Sequence, residues 1–258
     1  MLERIGEILR FREMIKSFVR KELRTRYKGS FLGFLWTFLN PLAQLSVYAL
    51  IFPHIMRVRE DNYAMFLFVA LVPWGYFAGT LTGGCGVIIA NSSLVDKVYF
   101  PREILPLAFS LSGLLNLCFV FMIVLPALVF FGRPLTGNVL WLPALLFIHA
   151  VLCTGISFIV SAVNVYFRDL EQIIGLAAMA LYFMTPVMYP AGLLPEKIRA
   201  VLSFNPMFGL ILSYRDVLFY GKPPDWPMLV YPAAASALIF VFGFCLFNKL
   251  QRKFTEIL

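Results

Sequence analysis

Six stretches of this chain, at about residues 34–56, 63–89, 105–131, 139–163, 172–190 and 227–248, are long and apolar enough to cross a lipid bilayer as helices. A span needs roughly 20 mostly apolar residues, because helix rises about 1.5 Å per residue across about 30 Å of hydrocarbon. The composition points the same way, with 60% hydrophobic and 14% charged residues and a mean hydropathy of +0.82. Soluble domains carry about 45–50% and about 25%. The expected fold is an all-α polytopic membrane protein of six transmembrane helices. The fifth stretch departs from a simple span, since LAAMALYFMTPVMYP carries Pro186 and Pro190 and is followed by further apolar sequence.

The segments between these stretches divide the 22 basic residues unevenly. Residues 1–33, 90–104, 164–171 and 249–258 hold 15 Lys and Arg, and the intervening set holds 7. By the positive-inside rule the first set is cytoplasmic, and an even number of crossings returns Lys249, Arg252 and Lys253 to the side of the N-terminus. The chain is thus expected to be one domain. Residues 1–33 form a cytoplasmic interfacial helix, 34–248 the six-span region and 249–258 a cytoplasmic tail.

A net charge of +8 raises nucleic acid as a partner, but Lys and Arg flank apolar runs and build no polar domain of their own. A membrane surface is the better match, and no nucleic acid is expected. In the first 30 residues Ile8, Phe11, Ile15, Phe18 and Val19 alternate at helical spacing with Glu7, Arg10, Glu13, Lys16 and Arg20. That pattern predicts an amphipathic helix in the interface, held partly by anionic lipid. It is followed by no short apolar region with a small-residue cleavage site, so the first span is expected to serve as the targeting signal. Gly29 and Gly33 permit a turn before the first span, which reads either as a joint between a surface helix and a span or as a gate. Asn91, Ser92 and Ser93 are candidate caps of a short helix, and Pro101 breaks the chain after it. Residues 191–226 read as two short helices on either side of Asn205 and Pro206, resting at the outer surface.

Several chemistries find no support. Cys85, Cys118, Cys153 and Cys245 each fall in an apolar run with no CxxC spacing, which reads as small buried residues. His54 and His149 have no paired carboxylates or HExxH around them, so no metal site is expected. There is no GxxxxGK[ST], hence no cofactor in this chain and no phosphate loop for ATP. The middles of the spans carry essentially no ionisable residues, which argues against a proton-coupled carrier and leaves the energy to come from elsewhere. Gly83, Gly84 and Gly86 read as close helix packing or as a ligand cradle, and Asn40, Gln44, Asn116 and His149 as packing contacts or pore lining.

Four blocks, RTRYKGSFLGFLWTFLNP, LVDKVYFPREILPL, NVYFRDLEQII, and TPVMYPAGLLPEK running into LSFNPMFGLILSYRDVLFYG, stand in one order across nearly the whole chain. Together they resemble the membrane subunit of ABC-2 type polysaccharide or polyol phosphate exporters, which move O-antigen, capsule or teichoic acid polymers. The resemblance implies a non-catalytic permease in the cytoplasmic membrane, paired with a second copy of itself. It implies two copies of a separate ATPase that binds ATP and Mg, and an undecaprenyl-type lipid-linked glycan or teichoic acid as substrate.

By the same resemblance Asn91, Leu94, Asp96, Lys97, Phe100, Arg102 and Glu103 belong to the element that couples to the ATPase. Arg24, Tyr27, Lys28, Arg168 and Asp169 belong to a cytoplasmic entrance. Pro190, Glu196, Arg199, Asn205, Pro206 and Arg215 belong to an external gate. Phe34, Trp36, Phe38, Tyr48, Phe66, Trp74, Tyr76 and Phe77 are candidates for an aromatic path along which sugars slide, with burial against neighbouring helices as the other reading of each. An ABC-2 exporter of a drug or small lipid shares the pattern. A membrane enzyme acting on lipid-linked sugars is suggested only by Glu196, Arg199, Arg215 and Asp216.

Overall fold

The computed structural model describes residues 6–7, 10–26, 29–56, 62–97, 99–133 and 135–257, without the side chains of residues 48, 49, 51–56, 96, 255 and 256. Tyr27 and Lys28 of the expected entrance lie outside the described residues, as do the side chains of Tyr48 and Asp96. Among the described residues the secondary structure is helical, with no strand. The α-helices are α1 (Arg12–Thr25), α2 (Trp36–Met56), α3 (Tyr63–Cys85), α4 (Ser92–Lys97), α5 (Ile104–Phe130) and α6 (Leu142–Tyr166). They continue with α7 (Leu170–Met184), α8 (Glu196–Leu202), α9 (Pro206–Leu218), α10 (Trp226–Leu250) and α11 (Phe254–Ile257).

Among the described residues four helical segments are long and apolar enough to cross a membrane, namely Tyr63–Cys85, Ile104–Phe130, Gly137–Tyr166 and Trp226–Lys253. The first expected span is the 21-residue helix α2, which carries Asn40 and Gln44 and does not join that set. The fifth is the 15-residue helix α7, shorter than the stretch read from the sequence. Pro186 explains the early end. It forces the preceding residue out of helical geometry, and Thr185 is extended at φ −96° and ψ 135°.

The expected joint before the first apolar stretch is a break between two helices. α1 ends at Thr25 and α2 starts at Trp36, with Gly29 and Gly33 at φ of +82° and +47°, a backbone region costly for any residue with a Cβ. α1 packs along α5 with Phe18 buried.

α3 is the hub. It is apolar around most of its circumference and packs against α2, α5, α6, α7 and α9, as expected of a helix wrapped by others. The tightest helix pair is α6 with α10. A Cβ at Gly155 would stand 2.6 Å from Cα of Phe240, so the two backbones meet where only glycine fits. Such small-residue seams let van der Waals packing hold helices together in hydrocarbon, where the hydrophobic effect between helices is lost. Gly83 and Gly84 are also packing positions, since a Cβ would meet Phe109 at 2.8 Å and Val160 at 3.0 Å.

Two short helices do flank Asn205 and Pro206, but α9 does not rest on a surface. Met207, Phe208, Leu210, Ile211 and Tyr214 are fully buried against α3, α6 and α10. The local signal for its start is explicit, because Asn205 Oδ1 accepts from Met207 N at 3.0 Å and Pro206 occupies the first helical position. At the opposite end of the bundle a second core joins Phe18, Val95, Phe100, Phe158, Phe247 and Phe254, tying together α1, α4 and the C-terminal turn.

Candidate functional site

A polar groove runs between α2, α3 and α5. Helical spacing puts Thr37, Asn40 and Gln44 on one face of α2, Gly75, Tyr76, Gly79 and Thr80 on one face of α3, and Gly113 and Asn116 on α5. These faces enclose about 240 Å³, with Trp36 and Arg26 also in the wall. α3 is otherwise largely buried, yet Gly75 and Gly79 are exposed, and a Cβ at either would meet nothing within 4 Å. The glycines therefore widen the groove and do not serve close packing. Amides and hydroxyls facing such a channel offer the alternating donors and acceptors that sugar hydroxyls require.

The groove wall is backed by a buried polar chain. Tyr76 OH donates to Ser110 O at 3.1 Å and lies 3.0 Å from Ser110 Oγ, which is 3.0 Å from Thr154 Oγ1. The Tyr76 ring lies 4.8 Å from that of His149, whose Nδ1 is 3.4 Å from Tyr214 OH on α9. Groove and inserted helix thus share one set of side chains. Of the aromatic candidates, Phe34 and Trp36 are exposed, Phe38 is half-buried, and Phe66, Trp74, Tyr76 and Phe77 are buried in the helix packing. Phe34 meets Phe38 and Phe119 edge-on at 5.4 and 5.3 Å, and Trp36 Nε1 donates to Ser30 Oγ at 2.9 Å.

At the α4 end, the six residues assigned to coupling whose side chains are described separate into two groups. Asn91, Phe100 and Glu103 are buried, whereas Lys97 is exposed and Leu94 and Arg102 are intermediate. Asn91 does not cap α4. Its Nδ2 donates to Val87 O at 2.8 Å and its Oδ1 accepts from Lys21 Nζ at 2.7 Å, which fastens α1 to this element. Arg102 Nη1 donates to Gln251 O at 2.6 Å, and Gln251 Nε2 donates to Glu103 Oε1 at 2.8 Å. Tyr99, two residues before Pro101 and outside any helix, is 86% exposed and was not among the sequence candidates. In α1 the half-buried Glu22 has its carboxyl pKa raised by burial, against the lowering influence of Lys21 and Arg26.

The entrance candidates are distributed over two places. Arg24 is exposed near the end of α1, while Arg168 and Asp169 are exposed in the turn from α6 to α7. Among the described residues no hydrogen bond or ion pair joins these places. Arg26, absent from the sequence candidates, is the basic residue that reaches the groove, with Nη2 4.0 Å from where a Cβ of Gly113 would stand. Helical periodicity puts Arg26 in line with Ile15 and Val19, eleven and seven residues before it, on the face of α1 that packs on α5.

At the other end, four consecutive carbonyls after α7 are all captured. Arg215 donates to Pro186 O at 2.5 Å, Val187 O at 2.6 Å and Tyr189 O at 3.2 Å, and Tyr63 OH donates to Met188 O at 2.7 Å. Arg215, 1% exposed, thus stabilises irregular backbone inside the bundle, where unsatisfied carbonyls would be costly. Asn205 Nδ2 donates to Thr185 Oγ1 at 2.9 Å, joining the same break to the start of α9. Pro190 adjoins this break, whereas Glu196 and Arg199 are exposed on α8.

Comparison with known proteins extends over the same features. Residues 13–219 match the family model described as ABC-2 type transporter. The chain is similar to the O-antigen export system permease protein RfbA of Myxococcus xanthus, 34% identical over 258 residues and 99% of both chains. It is likewise similar to the protein of that name from Klebsiella pneumoniae, 34% identical over 247 residues and 95% of both. The polysialic acid transport protein KpsM of Escherichia coli is 25% identical over 242 residues, 91% of this chain and 92% of its own.

Proposed function

The chain belongs to the ABC-2 type transporter family, and from that membership we propose that it is the permease subunit of an ATP-driven exporter carrying a lipid-linked polysaccharide across the cytoplasmic membrane. The observation that carries this reading is the end-to-end likeness to O-antigen export permeases. The likeness to polysialic acid and capsule export proteins is lower, which favours an O-antigen-type glycan over a capsule polymer. The subunit is non-catalytic, and ATP and Mg belong to a separate ATPase.

In this reading the chain crosses the membrane six times, with α2 and α7 completing the set and both termini cytoplasmic. The uneven distribution of Lys and Arg supports that orientation. Two copies pair, and each binds one ATPase subunit at the α4 end, where Lys97 and Tyr99 supply an exposed basic and aromatic contact. Arg24 and Arg26, with Tyr27, Lys28, Arg168 and Asp169, receive the phosphate-bearing linker from the cytoplasmic leaflet. Arginine suits this role because its planar fork matches phosphate oxygens.

The glycan then advances along the groove of Thr37, Asn40, Gln44 and Asn116, with Trp36 at its start. The glycine-widened wall of α3 supports this course. At the far side α8 and α9, hinged on the break at residues 185–190, close the external mouth. Tyr76, His149 and Tyr214 link the groove wall to that gate.

Co-expression in an export-deficient strain tests the reading. Surface polysaccharide should return only when this chain and its ATP-binding partner are both present. Turnover of a lipid-linked sugar by the chain alone, without ATPase, would sink it.

A further inference from the structure

We propose that the C-terminal turn, Gln251–Phe254, is a strut that locks the segment 99–103 to the last long helix, with Gln251 as its positioning residue. The coupling role of that segment rests on the function proposed above; the strut itself rests on geometry.

Two successive residues, Arg102 and Glu103, engage one residue nearly 150 positions away. Arg102 Nη1 donates to Gln251 O at 2.6 Å, and Gln251 Nε2 donates to Glu103 Oε1 at 2.8 Å and to Asn248 Oδ1 at 2.9 Å. Glu103 is fully buried and Gln251 only 6% exposed, so these charge-assisted bonds are made away from water. The neighbouring carbonyl, Leu250 O, accepts from Tyr166 OH at 2.7 Å at the end of α6. Phe254 is fully buried, with its ring 5.7 Å from Phe247 and 6.3 Å from Tyr166.

The last carbonyls of a helix have no partner within it and carry the negative end of its dipole. Here Gln251 O, at the C-cap of α10, accepts from the Arg102 guanidinium as well as from Phe254 N in the turn that follows, and Leu250 O, the last helical carbonyl, accepts from the Tyr166 phenol of α6. α10 is therefore capped by the parts it would have to move with. A displacement of residues 99–103 reaches α10 and α6 directly, without passing through α5. The tail expected from the sequence as a basic cytoplasmic end is a structural member, and Lys249, Arg252 and Lys253 flank the residue that makes the connection.

The test replaces Gln251→Glu, which sets two carboxylates against each other, and compares it with the double variant Glu103→Gln/Gln251→Glu, which returns one donor to the pair. Amide hydrogen exchange of residues 99–107 is read on the detergent-solubilised chain, and export and co-purification of the ATPase on the complex. Gln251→Glu is expected to speed exchange about tenfold and cut export about tenfold while co-purification stays within about twofold. The double variant should return exchange and export to within about threefold of the parent.

Unchanged exchange in Gln251→Glu, a double variant as impaired as the single one, or fast exchange with undiminished export would each overturn the strut. Because exchange needs no transport, a parent complex that exports no polysaccharide would count against the proposed function alone. The exchange result would still decide the strut.

Discussion

The guanidinium of Arg215 lies 3.6 Å over the ring of Phe66, and its nitrogens are spent on backbone carbonyls, with Pro186, Val187 and Tyr189 among them. A buried cation bound to these carbonyls and to a π-face holds backbone in place, and its removal would strand those carbonyls in the bundle. Arg215→Met should therefore lower stability by about 3 kcal/mol or more, from the cost of about 1–3 kcal/mol per stranded group. Arg215→Lys, with a single ammonium, should recover only part of it. Thermal unfolding in detergent measures both, and a cysteine placed at Val187 should label faster in the Met variant.

The two kinds of glycine in the long helices give opposite expectations. Gly79 faces open groove, so Gly79→Leu should fold and insert normally, keep its ATPase and lose at least about tenfold of export. Gly155 stands where a Cβ would strike the backbone of Phe240, so Gly155→Val should fail to give a monodisperse protein on size-exclusion chromatography. Normal export by Gly79→Leu would remove the groove from the polymer path.

The outward face at Lys97 and Tyr99 is expected to carry the ATPase contact. Exposed aromatic and basic side chains of this sort anchor interfaces, and their loss typically costs 1–2 kcal/mol or more, or roughly tenfold in affinity. Lys97→Ala/Tyr99→Ala should weaken co-purification of the ATPase by about tenfold and leave the unfolding temperature of the chain unchanged.

Glu22 gives a pH signature. Burial raises its pKa above the ordinary carboxylate value, so the packed state of α1 holds the proton more tightly than the free helix. Packing is accordingly strongest at low pH and weakens as pH rises from about 4.5 through the raised value, with no further change above it. Glu22→Gln should slow amide exchange in α1 at pH 7 and make no difference at pH 4. The effect is small, because the side chain keeps part of its hydration.

Much of this architecture is legible locally. The apolar runs locate the long helices, the Gly29 and Gly33 pair marks the joint, and Asn205 followed by Pro206 announces a helix start. What local pattern does not reveal is partnership across long separations. The groove needs Asn40, Gly79 and Asn116 to converge from three helices, and Gln251 is an unremarkable polar residue until Arg102 and Glu103 arrive. The insertion of α9 escaped notice for another reason. Its arginine reads as a surface charge, whereas the carbonyls of residues 186, 187 and 189 satisfy it inside. The shortness of α7 followed from Pro186, but where the chain went next depended on those same bonds.

This chain should move a lipid-linked glycan only when an ATPase drives it. Inverted vesicles containing the chain, its ATPase partner and a radiolabelled lipid-linked O-antigen test it most directly. ATP should bring glycan into the vesicle lumen, vesicles lacking either protein should accumulate none, and the chain alone should hydrolyse no ATP. Accumulation without the ATPase, or ATP-driven uptake of a small lipid with the glycan excluded, would contradict it.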